Sequence, residues 1–141
     1  MQLEELVTSL EPSKRLKKRG VEQDGFFLWC EVNLKGGKKV KVCSRDLLLY
    51  YDKVRIAYVI LCRAFTFTEV SKKLPIHISI PSHPDKSYYL TMTPHVSERF
   101  DIFYYTVDNK HLFKQTEAMK DTDAGAEMLI YLIDQGIVKV Y

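Results

Sequence analysis

The first twenty residues combine apolar positions at helical spacing with a run of basic residues. The apolar positions are three or four residues apart and predict a short amphipathic helix over residues 2–10; they are Leu3, Leu6, Val7 and Leu10. Pro12 interrupts this pattern, and Ser13 can cap a second helical turn over residues 14–19. Leu16 is the only apolar residue of that turn, so we expect the turn to pack weakly and to become ordered on a partner.

Two β-strands are predicted over residues 26–34 and 38–43, on either side of Gly36 and Gly37, which favour a hairpin turn. A shift of one residue in the pairing moves every side chain to the other face. The register is therefore chosen to gather the apolar side chains on one face. This choice pairs Leu34 with Val40, and Val32 with Val42.

The same register has two consequences for the rest of the hairpin. It brings two aromatic rings and three lysines together on the opposite face, and these are Phe27, Trp29, Lys35, Lys39 and Lys41. It also puts Cys30 and Cys43 on different faces, which disfavours a disulfide between them.

A long apolar stripe follows the hairpin. Ser44 is a suitable N-cap, and apolar residues recur at positions 47, 51, 54, 58, 61 and 65. This spacing predicts a mostly buried central helix over residues 45–65. Thr66 and Glu69 then have the spacing of a capping box for a short helix over residues 69–73, which Pro75 ends.

The C-terminal half alternates between apolar and polar residues and predicts four strands. These cover residues 76–80, 88–92, 102–107 and 111–115, and the last two are joined at Asp108 and Asn109. Asp121 or Thr122 then caps a helix that runs to about Asp134, where Gly136 ends it. A last strand is predicted over residues 137–141.

The predicted order of elements is α-ββ-α-ββββ-α-β, which indicates an α+β fold. We expect a mainly antiparallel sheet, a buried central helix and a C-terminal helix–strand unit. Residues 1–20 form a helical, basic N-terminal segment in this interpretation, and residues 21–141 form a single domain. Tyrosine pairs at 88–89 and 104–105 place rings on both sides of the sheet. We expect helices to cover both faces, and the alternative is one face with exposed tyrosines.

Length and composition exclude several classes of protein. A chain of 141 residues buries enough surface for one core, and its 46% hydrophobic and 28% charged residues exclude wholesale disorder. The longest apolar run, Ile56 to Cys62, is too short to span a membrane. No secretory signal is visible, and three cysteines, an odd number, favour a reducing compartment. We therefore expect an intracellular, cytoplasmic protein without membrane association.

The charge is distributed unevenly along the chain. Residues 1–73 carry 15 basic and 9 acidic side chains, whereas residues 74–141 carry 6 and 9. The excess is concentrated between Lys14 and Arg45. Such an asymmetry indicates contact with a polyanion, and the alternative interpretation is a solvated, solubilising face.

A nucleic-acid interface follows from this charge and from the hairpin aromatics. Lysines and arginines neutralise phosphates, and an aromatic ring can stack on a base. The predicted phosphate contacts are Lys14, Arg15, Lys17, Lys18, Arg19, Lys35, Lys38, Lys39 and Lys41. Trp29 is the candidate stacking residue, and its alternative is a place in the core. We expect a non-catalytic, nucleic-acid-associated accessory protein without a cofactor.

Two short acidic motifs offer an enzymatic alternative. Pro84-Asp85 and Asp108-Asn109-Lys110 resemble the signature of the PD-(D/E)xK nuclease superfamily, and the predicted elements from Asp46 onward resemble its α-β-β-β-α-β core. The resemblance implies that Asp85 and Asp108 bind Mg²⁺ and that Lys110 acts on the attacking water. The family carries its Asp-x-Lys triplet within a strand, whereas here it falls in a predicted turn, which Asp-Asn also favours. Turn chemistry is therefore the preferred interpretation.

Other chemistry lacks support in the residue spacing. The cysteines and histidines are scattered, and neither a nucleophile elbow nor a glycine-rich phosphate loop is present.

A third hypothesis is protein–protein interaction, in which the helix over residues 2–10 docks on a partner or a second copy. The tyrosine-bearing strands could supply the interface, and docking of the helix on its own sheet is the alternative.

Overall fold

Two antiparallel sheets organise the chain in a computed structural model that describes residues 2–80, 82–94, 99–106 and 111–140. The helices are α1 (Leu3–Leu6), α2 (Leu10–Lys18), α3 (Arg45–Lys53), α4 (Phe67–Lys73) and α5 (Asp121–Asp134). The strands are β1 (Phe27–Leu34), β2 (Gly37–Ser44), β3 (Tyr58–Ala64), β4 (His77–Ile80), β5 (His83–Pro94), β6 (Phe100–Thr106) and β7 (Leu112–Ala118). The predicted α+β class with antiparallel pairing is confirmed.

The two sheets differ in how they are covered. Sheet I has the order β2-β1-β3, with α3 packed on one face and the N-terminal segment on the other. Sheet II is the meander β4-β5-β6-β7, and α4 and α5 cover its inner face. Its outer face carries Tyr89, which is 40% exposed, while Tyr88 and Tyr104 are buried on the inner face. The tyrosine pairs lie in sheet II, so the expectation that helices cover both of its faces is wrong, and the alternative of a face with an exposed tyrosine describes it.

The N-terminal segment is held between sheet I and α5. Thr8 is fully buried, and its backbone bonds to Phe65 while its Oγ1 accepts a hydrogen bond from the Phe65 N–H at 3.0 Å. The Trp29 Nε1–H donates to the Thr8 carbonyl at 2.9 Å. On the other side, the Asp123 carboxylate accepts hydrogen bonds from the backbone and hydroxyl of Ser9. These contacts provide hydrogen-bond partners for the polar groups of the segment, whose burial would otherwise be unfavourable.

Helix α2 begins earlier and packs more tightly than its sequence predicts. Ser9 is the N-cap, and Pro12 lies in the first turn, where a missing N–H costs no hydrogen bond. The prediction that Pro12 interrupts the helix and that Ser13 caps it is therefore wrong. Leu16 is fully buried in the core beneath α5, so the expectation of weak packing is wrong as well.

The hairpin register differs from the predicted one by three residues. Trp29 pairs with Val42, Val32 with Lys39, and Leu34 with Gly37. The loop contains only Lys35 and Gly36, and Gly37 adopts φ +114°, a conformation that favours glycine. The prediction assumed one apolar face. Both faces of sheet I are covered, so that criterion does not select the register.

The predicted central helix is half helix and half strand. Helix α3 begins after the Ser44 cap, whose Oγ accepts from the Leu47 N–H, and it ends at Lys53. Arg55, with φ +61°, turns the chain away, and residues 58–64 form β3 against β1. This stretch is rich in β-branched and aromatic residues, and its apolar run is compatible with either element. Pairing with β1 decides in favour of a strand.

In the C-terminal region the predicted helix caps are confirmed, whereas the predicted last strand is wrong. The Thr66–Glu69 capping box is present at α4, and α5 ends before Gly136, which has φ +73°. Residues 137–140 are not a strand, because the chain turns back on α5 and the N–H groups of Ile137 and Val138 donate to the Leu132 carbonyl. The predicted C-terminal helix–strand unit is therefore a helix with a capping turn. The predicted loop at Asp108 and Asn109 lies outside the described residues.

Thr8 provides a test of the N-terminal anchorage. We expect Thr8→Val to lower the free energy of unfolding by about 1–3 kcal/mol, because it leaves the buried Phe65 N–H without its acceptor. Thr8→Ser keeps the hydroxyl and loses one methyl group, so we expect a cost of about 1 kcal/mol or less. Urea denaturation of both variants measures the difference. Equal stability of the two variants would contradict the role of the hydroxyl.

Gly125 provides a test of the contact between α4 and α5. A Cβ at this position would lie 2.7 Å from Val70 Cγ1, so we expect Gly125→Ala to destabilise the protein by about 1 kcal/mol despite the better helix propensity of alanine. In a Val70→Ala background the clash is gone, and the same substitution should be neutral or stabilising. Denaturation of the double-mutant cycle measures this change of sign. An unchanged effect in both backgrounds would contradict the close approach.

Candidate functional site

The basic residues of α2 divide into those that bond within the protein and those that face solvent. Arg15 pairs with Glu127 at 2.6 Å, and Arg19 makes two bonds to Asp134 at 2.7 and 2.9 Å, both acids lying on α5. The guanidinium of Arg19 lowers the pKa of the Asp134 carboxyl. These pairs attach α2 to α5.

The remaining basic side chains of α2 lie towards sheet I or solvent. Lys17 Nζ donates to the Leu61 carbonyl of β3 at 2.8 Å. Lys14 and Lys18 are exposed and make no ion pair among the described residues. They are therefore the α2 cations that are most available to an external anion.

The hairpin lysines lie on or beside β2, which is an edge strand of sheet I. Lys39 and Lys41 pair with Val32 and Cys30 of β1, so their side chains share the face that α3 covers. Lys38 lies on the other face, where its Nζ is 3.7 Å from the Glu31 carboxylate.

Trp29 belongs to the core beneath the N-terminal segment. The residue is only 8% exposed, it packs with Val7, Val42 and Cys62, and its Nε1–H donates to the Thr8 carbonyl. The structure therefore places Trp29 away from solvent and on the opposite face from Lys39 and Lys41. The predicted aromatic–lysine surface depended on the other register.

The two predicted basic stretches occupy different sides of sheet I. Helix α2 packs on β3 and α5, whereas the hairpin lysines lie on or beside β2, with β1 between the two edge strands. Lys39 and Lys41 also share the face of α3, while the segment that leads into α2 covers the other face. The structure does not bring residues 14–19 and 35–41 together into one surface.

Two basic residues that were not assigned to the sequence-predicted site lie on the segment that runs from α3 back to the hairpin. Helix α3 returns across the sheet, so that Tyr51 OH is 3.5 Å from Lys41 Nζ, and Lys53 and Arg55 follow at the end of that helix. The next turn reaches the hairpin directly, because the Asn33 N–H donates to the Ala57 carbonyl at 2.9 Å. We call the resulting group the distal basic cluster, and it consists of Lys35, Lys39, Lys41, Lys53 and Arg55.

The distal basic cluster has more positive charge than the two acids beside it, Asp52 and Glu31, can compensate. None of its five members makes an ion pair within the described parts of the chain, and only Lys41 is partly buried. The neighbouring Asp52 accepts a hydrogen bond from Tyr58 OH at 3.1 Å, which raises the pKa of the Tyr58 phenol. Glu31 already faces Lys38. The sequence alone does not predict this cluster, because a helix that continued past Lys53 would not return the chain to the hairpin.

Most of the nuclease motif lies outside the described part of the chain. Asp85 is exposed near the start of β5, and Asp108 and Lys110 lie outside the described residues. From Asp46 onward the elements are α3, β3, α4, four meandering strands and α5, so the resemblance to the α-β-β-β-α-β core is contradicted. Over the residues the structure describes, no three His, Cys, Asp or Glu side chains are grouped to hold a metal ion.

The cysteines are buried thiols rather than reactive ones. Cys30 and Cys43 belong to one cluster under α3, so the prediction that they lie on different faces is wrong, and both are free. Burial raises the pKa of Cys30 to about 12 and also raises the pKa of Cys43 and Cys62. A protonated, enclosed thiol is a poor nucleophile.

A buried ion pair joins β3 to α4. Arg63, which is 7% exposed, donates to the Glu69 carboxylate, and its guanidinium lies over the Phe65 ring at 4.5 Å. Burial acts to raise the pKa of Glu69, but hydrogen bonds from Thr66 and Arg63 outweigh it and lower the pKa overall. All of these groups are used to hold the two elements together, so we assign the pair a structural role.

No helix within the described residues has the length and apolar character needed to cross a membrane.

Helix α1 packs on sheet I of its own chain, where Leu3 joins the cluster around Trp29. This arrangement is the intramolecular alternative that the sequence analysis gave for the terminal helix.

The Arg63–Glu69 pair predicts a dependence of stability on pH. Because folding lowers the pKa of Glu69, the stability from this pair is complete above about pH 4.5 and is lost as the pH falls through the folded pKa. We expect Glu69→Gln to cost about 2–3 kcal/mol at pH 7, because it leaves the buried Arg63 unpaired, and to cost less at pH 3.

Urea denaturation at both pH values measures this difference. Glu117→Gln is the control, because its exposed pair with Arg99 spans 3.8 Å and should contribute less than about 1 kcal/mol at either pH. A cost of Glu69→Gln that does not change with pH would contradict the assignment.

Comparisons with known proteins do not assign this chain to a family. No protein-family model matches the sequence, and neither curated proteins nor solved structures give a match. The function is therefore argued from the residues of this chain alone.

Proposed function

We propose that the protein is a non-catalytic nucleic-acid-binding protein, acting as an accessory component, and that it contacts phosphates through the distal basic cluster. One observation carries the proposal. Five basic residues, from β2, α3 and two turns, lie towards one end of sheet I, and no acid forms an ion pair with any of them within the described residues. Like charges that are gathered without compensation favour an anionic partner.

The position of the cations supports an interface rather than protection of a strand edge alone. Lysines on an edge strand prevent unwanted pairing, and this would account for Lys39 and Lys41 on β2. It does not account for Lys53 on α3 or for Arg55 in the following turn, because neither residue lies on that edge. Their addition extends the positive surface from the hairpin across the end of α3.

An exposed ring beside the cluster favours a single-stranded ligand. Tyr50 is 56% exposed on α3 and lies three residues before Lys53, so the two side chains are neighbours on the helix surface. A tyrosine ring that stacks on an unpaired base contributes about 1–3 kcal/mol. Tyr50 thus takes the role that the sequence suggested for Trp29.

Phosphate contact predicts a specific salt dependence. We expect replacement of Lys35, Lys39 and Lys53 by alanine to weaken binding of a fluorescein-labelled 20-nucleotide single strand by at least tenfold in low salt. Because each phosphate contact to a single strand contributes about 0.7 to the slope of log K against log salt, the slope should fall by about 2. Fluorescence anisotropy over a series of salt concentrations measures both quantities.

The matched control replaces Lys72, Lys73 and Lys139 by alanine, which removes the same charge from another part of the surface. Binding should then change by less than threefold. A separate variant at Lys14 and Lys18 tests the contribution of α2, and a duplex of the same sequence tests the preference for single strands. Equal losses in the cluster and control variants would reduce the effect to net charge and contradict the proposal.

A further inference from the structure

One edge of sheet I presents unpaired backbone groups. The Asn33 N–H donates to the Ala57 carbonyl, and the same register continues through Val32–Tyr58, Glu31–Val59 and Cys30–Ile60. Hydrogen-bonded pairs alternate along an antiparallel ladder, so Val59 bonds to β1 while the N–H and C=O groups of Tyr58 and Ile60 point outward, with Ile60 beside the β-bulge where the register shifts. Among the described residues, no turn, helix or side chain bonds to any of these four groups.

The opposite edge of the sheet is protected. On β2, the outward N–H of Val42 donates to the Glu4 carboxylate at 3.3 Å, and Lys38 and Lys39 are exposed along the strand. On β3, the exposed residues are apolar instead, with Val59 61% exposed and Ile60 43% exposed. Natural edge strands usually carry charges or covers, so an open apolar edge indicates a strand-binding site.

Positive charge lies at both ends of this open edge. At one end α2 lies beside β3, where Lys17 Nζ reaches the Leu61 carbonyl, and the charges of Lys14 and Lys17 that act on Cys62 outnumber that of Glu11. At the other end the exposed Lys53 and Arg55 outnumber Asp52, whose carboxylate accepts a hydrogen bond from the Tyr58 hydroxyl. An occupant that complements this edge has an apolar centre, acidic ends and a free backbone.

The charge pattern distinguishes between two occupants of the edge. A second copy that pairs antiparallel through β3 would bring the α2 lysines of one copy next to Arg55 of the other. Like charges would then face each other at both ends of the shared strand, which is unfavourable. An extended acidic segment of another protein meets the opposite charge at each end.

We propose that the β3 edge binds an extended peptide that has acidic residues on both sides of a short apolar core, which adds to sheet I as a fourth strand. Backbone hydrogen bonds to Tyr58 and Ile60 hold the strand, Val59 and Ile60 contact its apolar side chains, and the flanking cations select its ends. This mode is β-augmentation. It goes beyond the proposed function, and its test substitution at Ile60 lies outside the triple substitution that tests nucleic-acid binding.

The probe is an acetylated, amidated nine-residue peptide with two glutamates at each end of a Val-Thr-Val-Thr-Val core. Hydrogen exchange of the full-length protein, followed by NMR, reads the edge directly. At a peptide concentration ten times the dissociation constant, exchange of the Tyr58 and Ile60 amides should slow about tenfold. The Val59 amide, already bonded to β1, is the internal control and should change little.

Proline substitutions test which edge binds. Ile60→Pro removes an outward N–H and leaves the ladder with β1 in place, so peptide affinity should fall at least tenfold. Val40→Pro is the matched control, because Val40 also points its N–H outward on an edge strand and has the same 43% exposure. Its affinity should stay within twofold, and circular dichroism checks that both variants fold.

Several outcomes would overturn the proposal. The first is an unchanged rate of amide exchange at Tyr58 and Ile60 when the peptide is added, and the second is an equal loss of peptide affinity in the two proline variants. The third is equal binding of a peptide that has lysine in place of glutamate. The fourth is protection of these amides that rises with protein concentration in the absence of peptide, which would indicate self-pairing. If Ile60→Pro does not fold, the exchange measurement on the unmodified protein still decides. Loss of peptide binding with intact oligonucleotide binding separates this proposal from the proposed function.

Discussion

The rest of the structure depends on the burial of a polar backbone segment between sheet I and α5. Thr8 is fully enclosed, and its backbone and side chain are satisfied by Trp29 from one side and by Phe65 at the end of β3. Ser9 extends the same segment to Asp123 at the start of α5. An enclosed backbone without these partners would be strongly unfavourable, so the segment sets the relative position of the two sheets.

This anchorage determines which residues remain available for function. Trp29 is used to satisfy Thr8, and Arg15 and Arg19 are used to attach α2 to α5, so residues that look suited to a ligand in the sequence are part of the framework. Among the cations that form no ion pair within the described residues, those of the distal basic cluster lie towards the far end of sheet I, away from the buried segment, whereas Lys14 and Lys18 lie on α2. Two hydrogen bonds near that end, at Lys41–Tyr51 and Asn33–Ala57, hold the hairpin and the end of α3 next to each other.

The two edges of sheet I have opposite character, and this contrast unites the two proposals. Edge strand β2 carries lysines and is covered at Val42 by Glu4, which suits a surface that faces a soluble polyanion. Edge strand β3 exposes Val59 and Ile60 and leaves backbone groups open between two positive ends. A small accessory protein with one surface for phosphates and another for a peptide strand could connect a nucleic acid to a protein component. Arg55 belongs to both surfaces, but the substitutions that test them, at Lys35, Lys39 and Lys53 for one and at Ile60 for the other, do not overlap.

The sequence by itself determined the features that depend on neighbours within three or four residues. Ser44 as a cap, the Thr66–Glu69 box and the end of α5 before Gly136 follow from local hydrogen bonding and backbone geometry, and the antiparallel α+β class follows from the pattern of short alternating runs. Only the tertiary structure decided the hairpin register, the conversion of residues 58–64 into a strand and the burial of Trp29. Each of these depends on a segment far along the chain that covers a face or pairs with an edge, and an apolar pattern cannot identify that segment when both faces of a sheet are buried.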